Sequence, residues 1–276
     1  VGAAPAKGPE GRGRAVAATA LTRTNAATAE RANALARKAR RVTDVLADLK
    51  REKTESPRRR ALAAELAGSR PETREDIDEL LAFLRDKRSG THRRRAIDAL
   101  VRAPESVAGP RMRESLGEGE QVVVQAGLSY CVRNPTGANR EALVSALREE
   151  NAKSRSILQR IMPKSGDDES RSMRRRALAE TISMIGIDDG IRDLCEAIDE
   201  EGVDGDIEKF GAIAIPAVLD AWNETGDEVR RGKLSTVAAR LASSQSAYDA
   251  LQAAKRRGGW KPEIASLVDR GLEALD

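Results

Sequence analysis

Residues 214–231 decide the class of fold to expect. They read Ala214-Ile215-Pro216-Ala217-Val218-Leu219-Asp220-Ala221-Trp222, then Thr225-Gly226-Asp227-Glu228-Val229-Arg230-Arg231. Ile215, Val218, Leu219 and Trp222 recur at steps of three and four, which is one apolar stripe of a helix. With Phe210 and Ile213 upstream, the pattern predicts a helix over 207–222. Thr225-Gly226-Asp227 then supplies a stop and a cap. Leu234 and Ala238 continue a second stripe behind Arg230-Arg231. The stretch is therefore a helical hairpin.

The opening of that second helix recurs along the chain. Arg58-Arg59-Arg60, Arg93-Arg94-Arg95 and Arg174-Arg175-Arg176 precede Leu62, Ile97 and Leu178, just as Arg230-Arg231 precedes Leu234. Counting from the first Arg, position i+4 is aliphatic in all four copies. Position i+8 is Leu66, Val101, Ile182 or Ala238. The steps between copies are 35, 81 and 56 residues. Two-helix repeats have a period of about 40 residues. The middle step then holds two repeats, with the missing helix at Glu120–Val132, and the last step holds one repeat and an insertion.

Partner helices are expected at Asp76–Leu84, Arg140–Leu147 and Ser156–Met162. Another helix is expected from Asn25 to about Lys53, with Leu35, Val42, Val45, Leu46 and Leu49 as its stripe. Residues 1–24 read as a flexible basic tail, with Gly and Pro dominating the first fourteen. Pro163–Ser170 reads as a linker. The expected organisation is a tail (1–24), N-terminal repeats (25–162), the linker (163–170), and C-terminal repeats (171–276) with an acidic insertion at 187–206.

Composition narrows the chemistry. Hydrophobic residues are 40% of the 276, yet aromatics are only 2%. A core built from Ala, Leu, Val and Ile suits closely packed helices. Cys131 and Cys195 lie in apolar helical contexts and form no secreted disulfide framework. With His92 as the one histidine, no metal site and no cofactor are expected. Asp188-Asp189 and Asp204–Asp206 lack the spacing of a Ca²⁺ loop. No apolar stretch reaches the roughly 18 residues of a membrane span, and no secretory leader is legible, so a cytoplasmic protein is expected. Charge is unevenly spread. Residues 1–60 carry +9, residues 186–228 carry −12 and residues 229–276 carry +4.

On these features the chain resembles HEAT-like repeat proteins. The family's first helix often reads small-Ile-Pro-small-Leu-Leu, followed by a turn with Asp and a Val-Arg opening. Residues 214–231 match that unit, residues 76–103 match it less closely, and the resemblance extends over about Ser56–Leu241. It implies an all-α, right-handed α-solenoid of about five antiparallel hairpins, in two sub-stacks, and no particular activity. In such repeats the first Arg of the second helix ties neighbouring layers together. Arg58, Arg93, Arg174 and Arg230 are its counterparts.

The remaining cations then form a surface row suited to phosphate or to acidic protein surfaces. Its members are Arg40, Arg41, Arg59, Arg60, Arg94, Arg95, Arg175 and Arg176, with Lys255, Arg256 and Arg257 in a loop before Trp260. The expected function is a non-enzymatic scaffold for a protein partner. Nucleic acid held through the basic N-terminal half is the alternative, although scarce aromatics disfavour base stacking. Some HEAT-like proteins excise alkylated bases in an aromatic-lined cleft. Trp222, Tyr130, Tyr248 and Trp260 are too scattered to predict one, and no catalytic residue is assigned.

Overall fold

The structure is a computed structural model, and it describes residues 40–52, 56–154 and 166–275. Every regular element among them is helical, with fourteen α-helices and no strand. The chain divides into two compact units, Val1–Ser69 and Arg70–Asp276.

In the first unit, α1 (Val42–Arg51) buries Val42, Val45, Leu46 and Leu49, the predicted stripe. Its partner α2 (Pro57–Gly68) starts where the sequence places it. Ser56 caps it by accepting from the Arg59 backbone N–H at 3.0 Å, and Pro57 occupies the first turn, where no N–H is needed. The expected tail and the expected helix upstream of residue 40 lie outside the described residues.

The second unit contains α3 (Arg74–Arg85), α4 (Arg93–Leu100), α5 (Glu105–Ser115), α6 (Gln121–Arg133), α7 (Gly137–Ser154) and α8 (Gly166–Ile185). It continues with α9 (Ile191–Glu196), α10 (Val203–Glu208), α11 (Ile215–Glu224), α12 (Glu228–Ala242), α13 (Tyr248–Arg257) and α14 (Pro262–Leu275). The packing follows one rule. Each odd-numbered helix packs on the even-numbered helix that follows it, from α3/α4 to α13/α14. The odd helices also pack on one another in chain order, and so do the even ones.

Local signals explain many of the boundaries. Thr73 and Asp76 cap α3 reciprocally, each side chain accepting from the other's backbone N–H. Asp227 caps α12 by accepting from the N–H groups of Val229 and Arg230. The apolar faces of these helices meet in an aliphatic core. Trp222 is buried at 5% exposure and Tyr130 at 0%, so neither aromatic offers a surface.

Several expectations are corrected. No single helix spans 207–222. Gly211 sits at φ 58 between α10 and α11, a left-handed conformation that glycine adopts readily. The Arg174–Arg176 triplet does not open its helix, because α8 begins at Gly166 and the triplet lies more than two turns in. Residues 166–170 of the expected linker are therefore helical, and residues 155–165, with the expected Ser156–Met162 helix, lie outside the described residues. The acidic insertion 187–206 carries α9 and most of α10, which pack into the same alternating order. Lys255–Arg257 form the last turn of α13, not a loop. Helix α5 lies in a stretch for which the sequence reading named no helix. Pro104 is its cap residue, and Pro110 stands inside it on the exposed side.

The acidic stretch is partly neutralised by this packing. Carboxylates of the acidic stretch pair with cations from neighbouring helices. Asp193 pairs with Arg148 at 3.0 Å, Glu200 with Arg175 at 2.6 Å, and Glu201 with Arg176 at 3.3 Å. Glu208 pairs with Arg240 at 2.6 Å, Asp220 with Arg257 at 2.8 Å, and Glu224 with Arg192 at 2.9 Å.

Candidate functional site

The expected Arg row dissolves into three groups. The first is internal. Arg59 and Arg175, expected on the surface, are buried at 5% and 3% exposure. Arg59 donates from one guanidinium nitrogen to the carbonyls of Leu49 and Glu52, both at 2.8 Å, closing the open C-terminal turn of α1. Arg175 donates to Asn151 Oδ1 at 3.1 Å, Asp199 Oδ1 at 3.2 Å and Glu200 Oε1 at 2.6 Å. It thereby ties α7, α8 and the α9–α10 turn together. Burial pushes the Asp199 carboxyl up, but the charge and hydrogen bonds of Arg175 outweigh it, with Arg230 adding to them. The carboxyl lies below its ordinary value.

The second group is engaged at the surface. Arg58 is 70% exposed against Glu52 at 3.1 Å, the reverse of the expected assignment for this pair. Arg40 pairs with Asp48 at 2.6 Å, and Arg94 with Asp98 at 3.3 Å. Arg93 donates to Ser89 Oγ at 2.8 Å, Arg174 meets Glu150 at 3.3 Å, and Arg230 meets Asp199 at 3.5 Å. Lys255 pairs with Asp269 at 2.8 Å. Arg41 is exposed and also has an interaction within the chain. Arg257 lies 4.9 Å from the Trp260 ring centroid, and Trp260 Nε1 donates to the Ala254 carbonyl, so this tryptophan is a half-buried plug for the end of α13.

The third group has no ion-pair partner among the described residues. From the expected row it retains Arg60, Arg95 and Arg256, all exposed. The sequence reading missed five further exposed members, Arg70, Arg102, Arg133, Arg140 and Arg270. Of these, Arg102, Arg133 and Arg140 follow one another along a short hydrogen-bonded edge. Asn134 Nδ2 donates to the Val101 carbonyl at 3.3 Å, and Asn139 Nδ2 donates to the Asn134 carbonyl at 2.7 Å. Each arginine is the chain neighbour of one of these residues.

A partly buried clamp fixes that edge. Glu105 accepts from Tyr130 at 3.0 Å, from Asn139 at 3.1 Å and from Arg113 at 2.6 Å, joining α5, α6 and α7. Burial, and then the Glu105 carboxylate, hold the Tyr130 phenol above its ordinary pKa. A satisfied network of this kind rigidifies what it joins.

An apolar groove runs between α6 and α8. Val124, Leu128, Met173 and Ala177 line it, with Gln121, Gln125, Ser170 and Arg174 at its margins, and its volume is about 290 Å³. Val132 continues the α6 wall one turn beyond Leu128, and Met184 continues the α8 wall two turns beyond Ala177. Both are open to solvent, at 37% and 61% exposure, and Met173 is 41% exposed. Val132 adjoins Arg133 in the chain, and Met184 stands two residues before Gly186, which lines a second, polar groove of about 710 Å³ with Arg140, Arg148, Glu141, Asp188 and Asp189.

Among the described residues no three His, Cys, Asp or Glu side chains form a group that could hold a metal ion, and no helix is long and apolar enough to cross a membrane. Burial pushes the thiols of Cys131 and Cys195 up to about 12. Neither is a nucleophile at neutral pH. No protein-family model, curated protein or solved structure matches the chain.

Proposed function

We propose that the protein is a non-enzymatic binding module. In this reading Arg70–Asp276 is an α-solenoid of the HEAT kind, and the face made by its even-numbered helices takes a helical segment of a partner protein. The observation that carries it is the groove between α6 and α8, with the exposed Met173 in its wall and the exposed Val132 and Met184 farther along the same two helices. Exposed methionines on a groove suit a helix laid in by its apolar stripe, because they adapt to its shape. The alternating packing order supports the solenoid reading, since such stacks present extended faces of neighbouring helices.

Selection of a helical peptide library on the full chain tests this. The expected outcome is enrichment of sequences with apolar residues at i, i+3 or i+4, and i+7, lost on Met173→Glu with Met184→Glu. Both side chains are exposed, so the double variant keeps its melting temperature within a few degrees. No apolar enrichment, or enrichment indifferent to the double variant, sinks the proposal. Nucleic acid is supported less well, because Arg59 and Arg175 are internal and most of the other expected cations are engaged.

A further inference from the structure

We propose that Met173 is a reversible oxidation site, and that a peroxide, by converting its thioether to the sulfoxide, switches off the groove between α6 and α8. This is regulation of the helix-binding site and rests on that reading. Access to sulfur singles the residue out. The sulfur side chains among the described residues are Met112, Met173, Met184, Cys131 and Cys195. Met112 and Cys131 are fully buried, and Cys195 is 1% exposed. Burial also keeps both thiols protonated at neutral pH, and it is the thiolate that oxidants attack. Met173 and Met184, at 41% and 61% exposure, are therefore the described sulfurs that a peroxide can reach.

The two methionines differ in place. Met173 lines the groove, with Val124 and Leu128 on the α6 wall, while Met184 is no part of its lining. Gln121, the first residue of α6, reaches Met173 from the other wall and donates from Nε2 to its Sδ at 3.7 Å. A thioether sulfur is a weak acceptor. This contact therefore yields readily to an apolar side chain of a partner. An oxygen added to that sulfur puts a strong acceptor where a weak one stood. The Gln121 amide then holds the oxidised side chain from α6, and the bond crosses the groove.

In the oxidation, the sulfur lone pair attacks one oxygen of hydrogen peroxide. The O–O bond breaks and an S–O bond forms. The departing hydroxide takes up the proton of the transferred oxygen and leaves as water. Sulfur loses two electrons and the peroxide gains them. The product is polar and chiral where the thioether was apolar and adaptable. A partner helix that lays an apolar side chain on it must part the sulfoxide from Gln121 and bury a polar oxygen without a donor. Methionine sulfoxide reductases, one for each epimer, return the thioether. The change is therefore a switch and not only damage.

The test uses the full chain and the most enriched peptide from the selection above, labelled for fluorescence anisotropy. The chain carries Met184→Leu, and Met162→Leu outside the described residues, both swaps that conserve volume. Hydrogen peroxide is expected to add one oxygen per chain, at Met173 and not at Met112, read by mass spectrometry of the digested chain. The oxidised chain is expected to bind at least about tenfold more weakly, as burial of an unpaired polar group implies. Its melting temperature should stay within a few degrees of the parent's. Reductases of both epimer classes are expected to restore binding. Adding Met173→Leu is expected to keep the affinity and abolish its response to peroxide. Adding Gln121→Ala is expected to recover about threefold of the affinity lost on oxidation, the worth of one hydrogen bond.

Oxygen found at Met112 with Met173 unmodified overturns this inference. So does an affinity moved less than twofold by complete oxidation of Met173. Either result leaves the groove standing. Loss of binding that persists in the Met173→Leu chain overturns it too, because the effect then comes from another residue. No recovery in the Gln121→Ala chain overturns the bond across the groove. A peptide that binds the unoxidised chain indifferently to Met173→Glu with Met184→Glu overturns the groove reading itself.

Discussion

Arg175 and Arg176 are neighbours in the chain and opposites in energy. Arg175 is buried and bonded to acceptors on α7 and in the α9–α10 turn, while Arg176 is 53% exposed against a Glu201 that is 89% exposed. Removing a buried partner strands charge, at a cost of about 3–5 kcal/mol. Asp199 retains 43% exposure, so water recovers part of that cost. Arg175→Ala is expected to destabilise by about 2–3 kcal/mol and Arg176→Ala by no more than about 0.5 kcal/mol, both read from urea melts. The gap also has a pH signature. The folded-state pKa of Asp199 is depressed, so its contribution is present above the unfolded value of about 3.9 and is lost as pH falls through the folded value. The two variants should therefore converge below about pH 4. Equal melts at pH 7 would show that the Arg175 contacts do not stabilise the fold.

The inward residue of each Arg cluster was partly legible. Arg59 and Arg175 each stand three residues before a buried leucine, Leu62 and Leu178, which puts them on the core face of their helices. The same offset fails at Arg94, which is 78% exposed at the start of the short α4. There Arg93 turns to Ser89 instead. Helix phase near a terminus depends on where the helix starts, and four residues of sequence do not carry that information.

At the scale of elements, α3 and α12 are readable because caps and apolar stripes agree. Helix α5 is not, because its prolines and glycine argue locally for a break while packing decides otherwise. Pro110 is tolerated on the exposed side, where the carbonyl it leaves without a donor can meet water. The glycine on its partner helix has a clearer role. A Cβ at Gly127 would collide with Ser115 Oγ and lie 2.8 Å from the Met112 carbonyl oxygen. Helices α5 and α6 approach that closely only because position 127 has no side chain. Gly127→Ala gains helix propensity, worth about 1 kcal/mol. It loses more by overpacking, at about 1–3 kcal/mol. A net drop in melting temperature is expected, while Gly119→Ala, with nothing within 4 Å of its added Cβ, leaves it unchanged. A Gly127→Ala protein as stable as its parent would mean that the two helices can part without loss. Because α5 and α6 also carry Glu105 and Tyr130, the variant should loosen the arginine edge and weaken peptide binding.

At the scale of the whole second unit, contacts between helices run mainly to sequence neighbours and to the next pair. Stability in such an array is a sum of local terms and interfaces, so it need not be uniform. Helices α9 and α10 are the weakest local terms, at six residues each. Helices shorter than about 12 residues are marginal alone. Their order depends on what surrounds them, including the Arg148–Asp193 and Arg175–Glu200 pairs. The two thiols report on this separately. Cys195 lies on α9, Cys131 lies on the thirteen-residue α6, and both are buried with pKa values pushed up to about 12. Neither should react with a disulfide reagent at pH 8 until its own region opens. With Cys131→Ala and Cys195→Ala made singly, the remaining thiol reports its own site. In urea below the midpoint of global unfolding, Cys195 is expected to react at least tenfold faster than Cys131. Arg148→Ala should raise the Cys195 rate further and leave the Cys131 rate alone, since Arg148 binds the α9 carboxylate Asp193 directly. Equal rates for the two thiols at every urea concentration would mean that the unit opens only as a whole, and that the short acidic pair draws its full stability from its neighbours.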